Sequence, residues 1–238
     1  MANYSRKDYR NHPIDFVKIK CDNSTEVTKY IMIYLFTDYE KLDDEVLGLL
    51  EKKLPPARLS RYRSFRFPEG KKSSLSAYLC FLFGYRQLTG SMDIPEFDIG
   101  EYGKPYLSEN PGIFFNISHC KGGAVCFFED EEVGIDLQNF TKCNSRVWDR
   151  VCSEEELDAL KKAEKPEEAF IKLWTLKESL AKLSRKGMVF GEIDKLNGDG
   201  VNIFSTSPRP DLYLTAATKK TTADFTIRRL SLEDFILL

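Results

Sequence analysis

The sequence predicts an α+β protein built of two similar halves. Three observations lead there: helical patterns run into three short strand patterns across residues 29–138, the same order returns across 151–238, and a polar stretch at 139–150 separates them as a linker. No internal sequence repeat is readable, so the likeness of the halves rests on element order alone.

A chain of 238 residues has ample length for such a core, and 42% hydrophobic with 30% charged residues is the composition of a soluble globular protein. The net charge of -2 provides no overall attraction for nucleic acid or anionic membranes. The N-terminus lacks an apolar signal core, and no run is long enough to span a bilayer, which predicts a cytoplasmic location. Six cysteines without a C-x-x-C spacing read as reduced thiols. With two histidines, His12 and His119, far apart in the chain, zinc is disfavoured, and oxygen ligands with a hard cation are the option for metal chemistry.

In chain order, residues 1–28 form a polar extension of unassigned use. Tyr30 to Phe36 is β-branched and aromatic and reads as a strand; Asp43 to Leu54 spaces Val46, Leu47, Leu50 and Leu54 as a helix, stopped by Pro55 and Pro56. If those prolines open the next helix, Arg58 and Arg61 share a face suited to gripping a phosphate, although a solvated basic face or a nucleic-acid contact through Arg58–Arg66 fits the same pattern. Ser73 to Leu88 reads as a largely buried helix ended at Gly90. Lys71 and Lys72 near its start run against the helix dipole, a conflict that a bound anion would relieve.

From Glu96 to Leu107 the pattern is extended, and Gly103, Lys104 and Pro105 form a turn presenting a lysine. A three-stranded meander is expected next, at 112–118, 123–128 and 133–138. In its third strand Val133, Ile135 and Leu137 point one way, so Gly134, Asp136 and Gln138 point the other. That side can offer a carboxylate and an amide to magnesium, and Asp136 is equally readable as a structural carboxylate. Residues 139–150 expose Phe140, Val147 and Trp148, which suit a docking partner. Ser153 opens a capped helix through Leu160, and further strands are expected at 201–204, 213–218 and 225–230.

The rest of the chain is organised around Phe170 to Leu183. At 3.6 residues per turn, Phe170, Leu173, Trp174, Leu176, Leu180, Ala181 and Leu183 form an apolar arc, with Lys172, Thr175 and Ser179 outside it. Lys177 falls inside the arc, so an acid or phosphate must lie within its reach. Glu178 and Lys182 share one face at i, i+4; taken alone they also read as an ordinary surface pair.

Taken in register, Asn116-Ile117-Ser118-His119, Val133 to Gln138 and Trp174 to Lys182, with Gly103-Lys104-Pro105 upstream, resemble the Sfp-type 4'-phosphopantetheinyl transferases over residues 30–238. The resemblance implies that family's fold, two pseudo-symmetric α+β halves with the site in the cleft between them. It implies magnesium-dependent transfer of the phosphopantetheine arm of coenzyme A to a serine of an apo carrier protein. It further implies metal ligands at Asp136, Gln138 and Glu178, with Glu178 also the base and Lys182 facing the leaving nucleotide. Coenzyme contacts are implied at Arg58, Arg61, Lys72, Gly103, Lys104, Pro105, Ser118 and His119. Gln138 departs from the acid that many members carry there, which brings no charge to the metal. The rival expectation is a coenzyme A-binding or carrier-binding regulatory protein of the same fold without transfer. The two-half architecture points to a monomer.

Overall fold

The computed structural model describes residues 32–141, 145–187, 196, 198–220 and 224–238. The expected polar extension at 1–28 lies outside them, as do 142–144 of the linker.

The chain folds as a mixed α+β protein in the layer order helix, sheet, sheet, helix. The first sheet has the order β4-β5-β1-β9, with β1 at Met32–Phe36, β4 at Phe114–Cys120, β5 at Gly123–Glu129 and β9 at Thr226–Leu230. The second has the order β6-β8-β7, with β6 at Val133–Asn139, β7 at Asn202–Arg209 and β8 at Leu212–Thr218. A hairpin of β2 (Asp98–Ile99) and β3 (Pro105–Tyr106) stands apart from both.

Alternation along the strands builds the layers. Tyr34, Phe36, Cys126 and Phe128 turn to an aromatic core covered by α3 (Pro68–Thr89), which also buries Leu79, Phe81 and Leu82. Ile33, Leu35, Val125 and Phe127 turn the other way and meet Val133, Ile135, Leu137, Leu214 and Ala216 between the sheets. The outer face of the second sheet is covered by α6, Pro166–Leu183.

Two strands go elsewhere than the sequence suggests. The expected meander breaks after β5, because β6 pairs antiparallel with β8. The strand expected to complete the second sheet, β9, instead pairs parallel with β1. There Ile227 enters the inter-sheet core and Leu230 the aromatic core, so both faces of β9 are used. Alternation identifies a strand's faces but not its neighbour, and these two exchanges are invisible to it.

Two helices start earlier than their apolar patterns, α3 at Pro68 rather than Ser73 and α6 at Pro166 rather than Phe170. The segment after Leu42 is α1 (Asp44–Leu50) followed by a 3-10 turn, and the prolines do open α2, Pro56–Ser64. The expected linker contains α4 (Ser145–Val151), and its apolar residues are not all free: Phe140 packs on Tyr213, Trp148 stacks on Phe170 with centroids 5.7 Å apart, and Val147 is exposed. The capping box at Ser153 is formed and begins α5, Glu154–Lys162. A last helix, α7 (Leu232–Leu237), is capped by Ser231 and plants Phe235 on Phe36 at 4.4 Å. Among the described residues no helix is long and apolar enough to cross a membrane.

Candidate active site

The site forms where two edge strands meet, β4 of the first sheet and β6 of the second. Side chains bridge the seam. Asn116 and Ser118, two apart and so on one face of β4, accept from the backbone of β6: Asn116 Oδ1 from Ile135 N at 2.9 Å, Ser118 Oγ from Leu137 N at 3.2 Å. Between these two anchored amides lies Asp136, 1% exposed, whose Oδ1 accepts from Ser118 Oγ at 2.8 Å. Gln138 Nε2 donates to the other oxygen, Oδ2, at 3.1 Å, which leaves the Gln138 amide oxygen free of that bond.

Helix α6 is drawn onto β6 at Gly134. A Cβ there would sit 2.6 Å from Leu183 N and 3.0 Å from the Ser179 carbonyl carbon, so only glycine permits the approach. Thr175 and Ser179, expected outside the buried arc, are in fact fully buried. They are tolerated because each hydroxyl returns to its own helix, Thr175 to Ile171 O at 2.6 Å and Ser179 to Leu176 O at 2.7 Å. Small residues at a tight helix–strand contact, rather than hydrophobicity, decide this face. Lys177 is buried as its position demanded, and its acid is Glu156, with Nζ 2.5 Å from Oε2 and 2.7 Å from Val151 O. The same Glu156 oxygen accepts from Ser153 N, so the α5 capping box and the α6 lysine share one carboxylate.

That contact sets Lys182 over Asp136. Lys182 Nζ lies 2.7 Å from Asp136 Oδ1, 3.1 Å from Ile135 O, 3.4 Å from Ser118 Oγ and 3.7 Å from Glu178 Oε2. One ammonium thus stands between two carboxylates carried by different elements. Desolvation raises the Glu178 pKa, Lys182 opposes this, and the Asp136 charge adds to it. Two carboxylates with an amide alongside are oxygen donors of the kind that could hold a hard cation such as magnesium. Among the described residues no group of three or more His, Cys, Asp or Glu side chains is assembled for a metal, so the third donor would be the amide of Gln138.

Around this centre the other expected residues fall into two groups. His119 is exposed at the end of β4; desolvation, then the nearby Lys182 and Arg61 charges, hold its pKa down. Arg61 is exposed on α2, and Arg58, one turn before it, lies with its guanidinium 4.9 Å over Phe97 and 5.6 Å over Tyr78. Burial and then the Arg61 charge lower the Arg58 pKa, so an anion near this pair would be favoured. The second group is engaged within the protein. Lys72 Nζ donates to Tyr39 O at 3.2 Å, and the Ser118 hydroxyl is taken up by Asp136 and Leu137. Gly103 turns the β2–β3 hairpin at φ 82°, but the lysine after it is not presented to solvent: Lys104 Nζ donates to Glu132, Val133 and Lys182. Pro105 lines a cavity of about 220 Å³ together with Tyr102, Phe114 and Arg185.

Residues 132–234, which carry β6, α6, Asp136, Glu178 and Lys182, match the 4'-phosphopantetheinyl transferase superfamily. Among curated relatives, the 4'-phosphopantetheinyl transferase Sfp of Bacillus subtilis (strain 168) is 34% identical over 94 residues, 39% of this chain and 42% of its own. The L-aminoadipate-semialdehyde dehydrogenase-phosphopantetheinyl transferase of Saccharomyces cerevisiae is 30% identical over 158 residues, 61% of this chain and 58% of its own. The 4'-phosphopantetheinyl transferase gsp of Aneurinibacillus migulanus is 31% identical over 134 residues, 50% of this chain and 56% of its own. The chain spans roughly two fifths to three fifths of the length of these phosphopantetheinyl transferases.

The sequence places Asn116 in a motif and Gly134 on the face of Asp136, but gives neither its part in building the site. A polar pair at i, i+2 on an otherwise apolar strand was the available signal for Asn116; for Gly134 it was a glycine facing the same way as Asp136.

Proposed function

We propose that the chain transfers the 4'-phosphopantetheine arm of coenzyme A to a serine of an apo acyl, peptidyl or aryl carrier protein, releasing adenosine 3',5'-bisphosphate. The observation that carries this reading is the convergence of Asp136, Glu178 and Lys182 on one point at the β4–β6 seam.

In the proposed reaction the carrier serine oxygen bonds to the β-phosphorus of the coenzyme pyrophosphate, and the bridging P–O bond to the α-phosphate breaks. Glu178 takes the serine proton; burial raises its proton affinity in the metal-free protein, and a bound cation would weaken it as a base. The bisphosphate leaves with its new charge facing Lys182, which must exchange part of its hold on Asp136 for the phosphate. His119 and Arg61 add positive charge or donors at the mouth, and Arg58 backs them. Asp136, Glu178 and the Gln138 amide oxygen would hold magnesium, which when bound neutralises the pyrophosphate oxygens. Gly103, Lys104 and Pro105 would meet the nucleotide through backbone and ring, since the Lys104 ammonium is engaged elsewhere. Alignment and charge neutralisation therefore supply most of the proposed catalysis.

The carrier is proposed to dock near the exposed Val147 of α4. A cytoplasmic monomer that binds neither nucleic acid nor membrane fits this reading. Tyr62, in the middle of the arginine run, is buried, which takes it away from any base-stacking surface. The second reading, a coenzyme A-binding regulatory protein, is favoured by one observation, the uncharged Gln138.

Intact mass of an apo acyl carrier protein after incubation with this protein, coenzyme A and magnesium tests the proposal. One added phosphopantetheinyl arm is expected, absent with a chelator and absent with Glu178→Gln. Coenzyme A binding without any gain on several carriers would overturn transfer in favour of the regulatory reading.

A further inference from the structure

The Lys104 side chain does something that its place in an exposed hairpin does not suggest. It is 14% exposed, and its ammonium meets three acceptors: Val133 O at 2.7 Å, Glu132 Oε2 at 2.8 Å and Lys182 O at 2.9 Å. An ammonium has three donors, and all are used. The acceptors belong to the turn before β6, the first residue of β6 and the last turn of α6, the elements whose spacing fixes the Asp136–Lys182 contact. A cation at Lys182 O also sits at the negative end of the helix dipole. Glu132 is gripped from its other side by Arg185, whose Nε lies 2.7 Å away, three residues beyond Lys182. The loop of contacts closes on the last turn of α6 and again just beyond its end.

We propose that Lys104 is a positioning residue that clasps the backbone of Lys182 to the start of β6, so that the Lys182 ammonium is delivered onto Asp136, and that its side chain is not a phosphate ligand of the coenzyme. This rests on the transfer reading above. It assigns Lys104 an effect on turnover rather than on coenzyme affinity. Desolvation that lowers the Lys104 pKa, opposed by Glu132, agrees with an enclosed structural cation.

The test is Lys104→Met, which keeps the apolar stem and removes the donors, in the full chain with coenzyme A, magnesium and an apo carrier. The expected result is a fall in kcat of about tenfold to a hundredfold, as for a displaced catalytic group, with the coenzyme A KM within about twofold of wild type. In a Lys182→Ala background the same substitution should leave the residual kcat unchanged, because its effect runs through Lys182. A raised KM with kcat preserved, or equal losses in both backgrounds, overturns the proposal. Glu132→Gln, milder for folding, should show the same split with a smaller loss, and decides the matter if Lys104→Met does not fold. A wild-type protein that transfers nothing would refute the transfer reading alone. Amide hydrogen exchange then tests the clasp: Lys104→Met must accelerate exchange at Ser184 and Arg185 relative to Phe170–Trp174, and unchanged exchange there would refute it.

Discussion

Replacing Gly134 by alanine isolates the contact on which the site depends. Gly134 does not need a left-handed backbone, so alanine brings no torsional strain and the whole effect is steric. The new Cβ would lie 2.6 Å from Leu183 N and 3.0 Å from the Ser179 carbonyl carbon, where ordinary contact begins at 3.4 Å. Both neighbours are helix backbone, which cannot swing aside as a side-chain tip can. The Ser179 carbonyl oxygen is closer still, so the strand and the helix must part by more than about an ångström, at overpacking costs of about 1–3 kcal/mol or more. In a chain of this size that lowers Tm by several degrees, each kcal/mol being worth about 2–4 °C. Turnover should suffer more, because the displaced segment, Ser179 to Leu183, includes Lys182, and a misplacement of about 1 Å costs about a hundredfold in rate. Thermal unfolding and carrier modification, measured side by side, read the two effects separately. Gly112→Ala, at a position with nothing within 4 Å, is the control and should change neither. Wild-type turnover in a folded Gly134→Ala protein would refute the claim that helix–strand proximity builds the site.

Three further outcomes are expected. Because burial raises the folded pKa of Glu178, its contribution to stability is present below the unfolded glutamate value near 4.5 and is lost as pH rises through the folded value. Glu178→Gln should thus melt higher than wild type at pH 7.5, with the gap closing toward acid; a lower Tm at pH 7.5 would contradict the burial argument. The Lys177–Glu156 pair should break asymmetrically, since the lysine side chain is 1% exposed and the glutamate 29%. Glu156→Ala strands a buried cation and opens a capping box, costing about 3 kcal/mol or more, whereas Lys177→Met leaves an acid that can turn to water; urea unfolding in the opposite order would refute this. Trp148→Ala should cost about 2–3 kcal/mol through lost packing on Phe170, and an unchanged urea midpoint would show that the stacked pair carries no stability.

How much of this was legible in the sequence depended on the range of the interaction. Periodicity placed α6 and put Lys177 in a buried position, and alternation turned Asp136 and Gln138 to one side of β6, because both follow from backbone geometry within a few residues. The acid that answers Lys177 is twenty-one residues earlier in sequence, and nothing local marks Glu156 apart from the two acids beside it except the capping box. Partner strands were less legible still: β6 and β9 each carry apolar residues that would suit either sheet, and the choice is made by chain connection and by the seam that Asn116 and Ser118 stitch.

The site residues that sequence assigned to the coenzyme divide on the same ground. Arg61 and His119 are exposed, and their charge or donors are available to an incoming anion. Ser118 and Lys104 are polar groups in motifs of the same apparent kind, yet each is consumed by the scaffold: one hydroxyl fixes Asp136, and one ammonium fixes the end of α6. A motif records that a residue type is needed at a position, not whether it faces the ligand or the residue that does. Burial distinguishes the two cases physically, since a buried donor must spend its hydrogen bonds on the protein around it. Of the charged groups at this seam, Lys182 alone does both: its ammonium is shared between two carboxylates and yet is a quarter exposed, so it can give up one partner for a phosphate without being left unpaired.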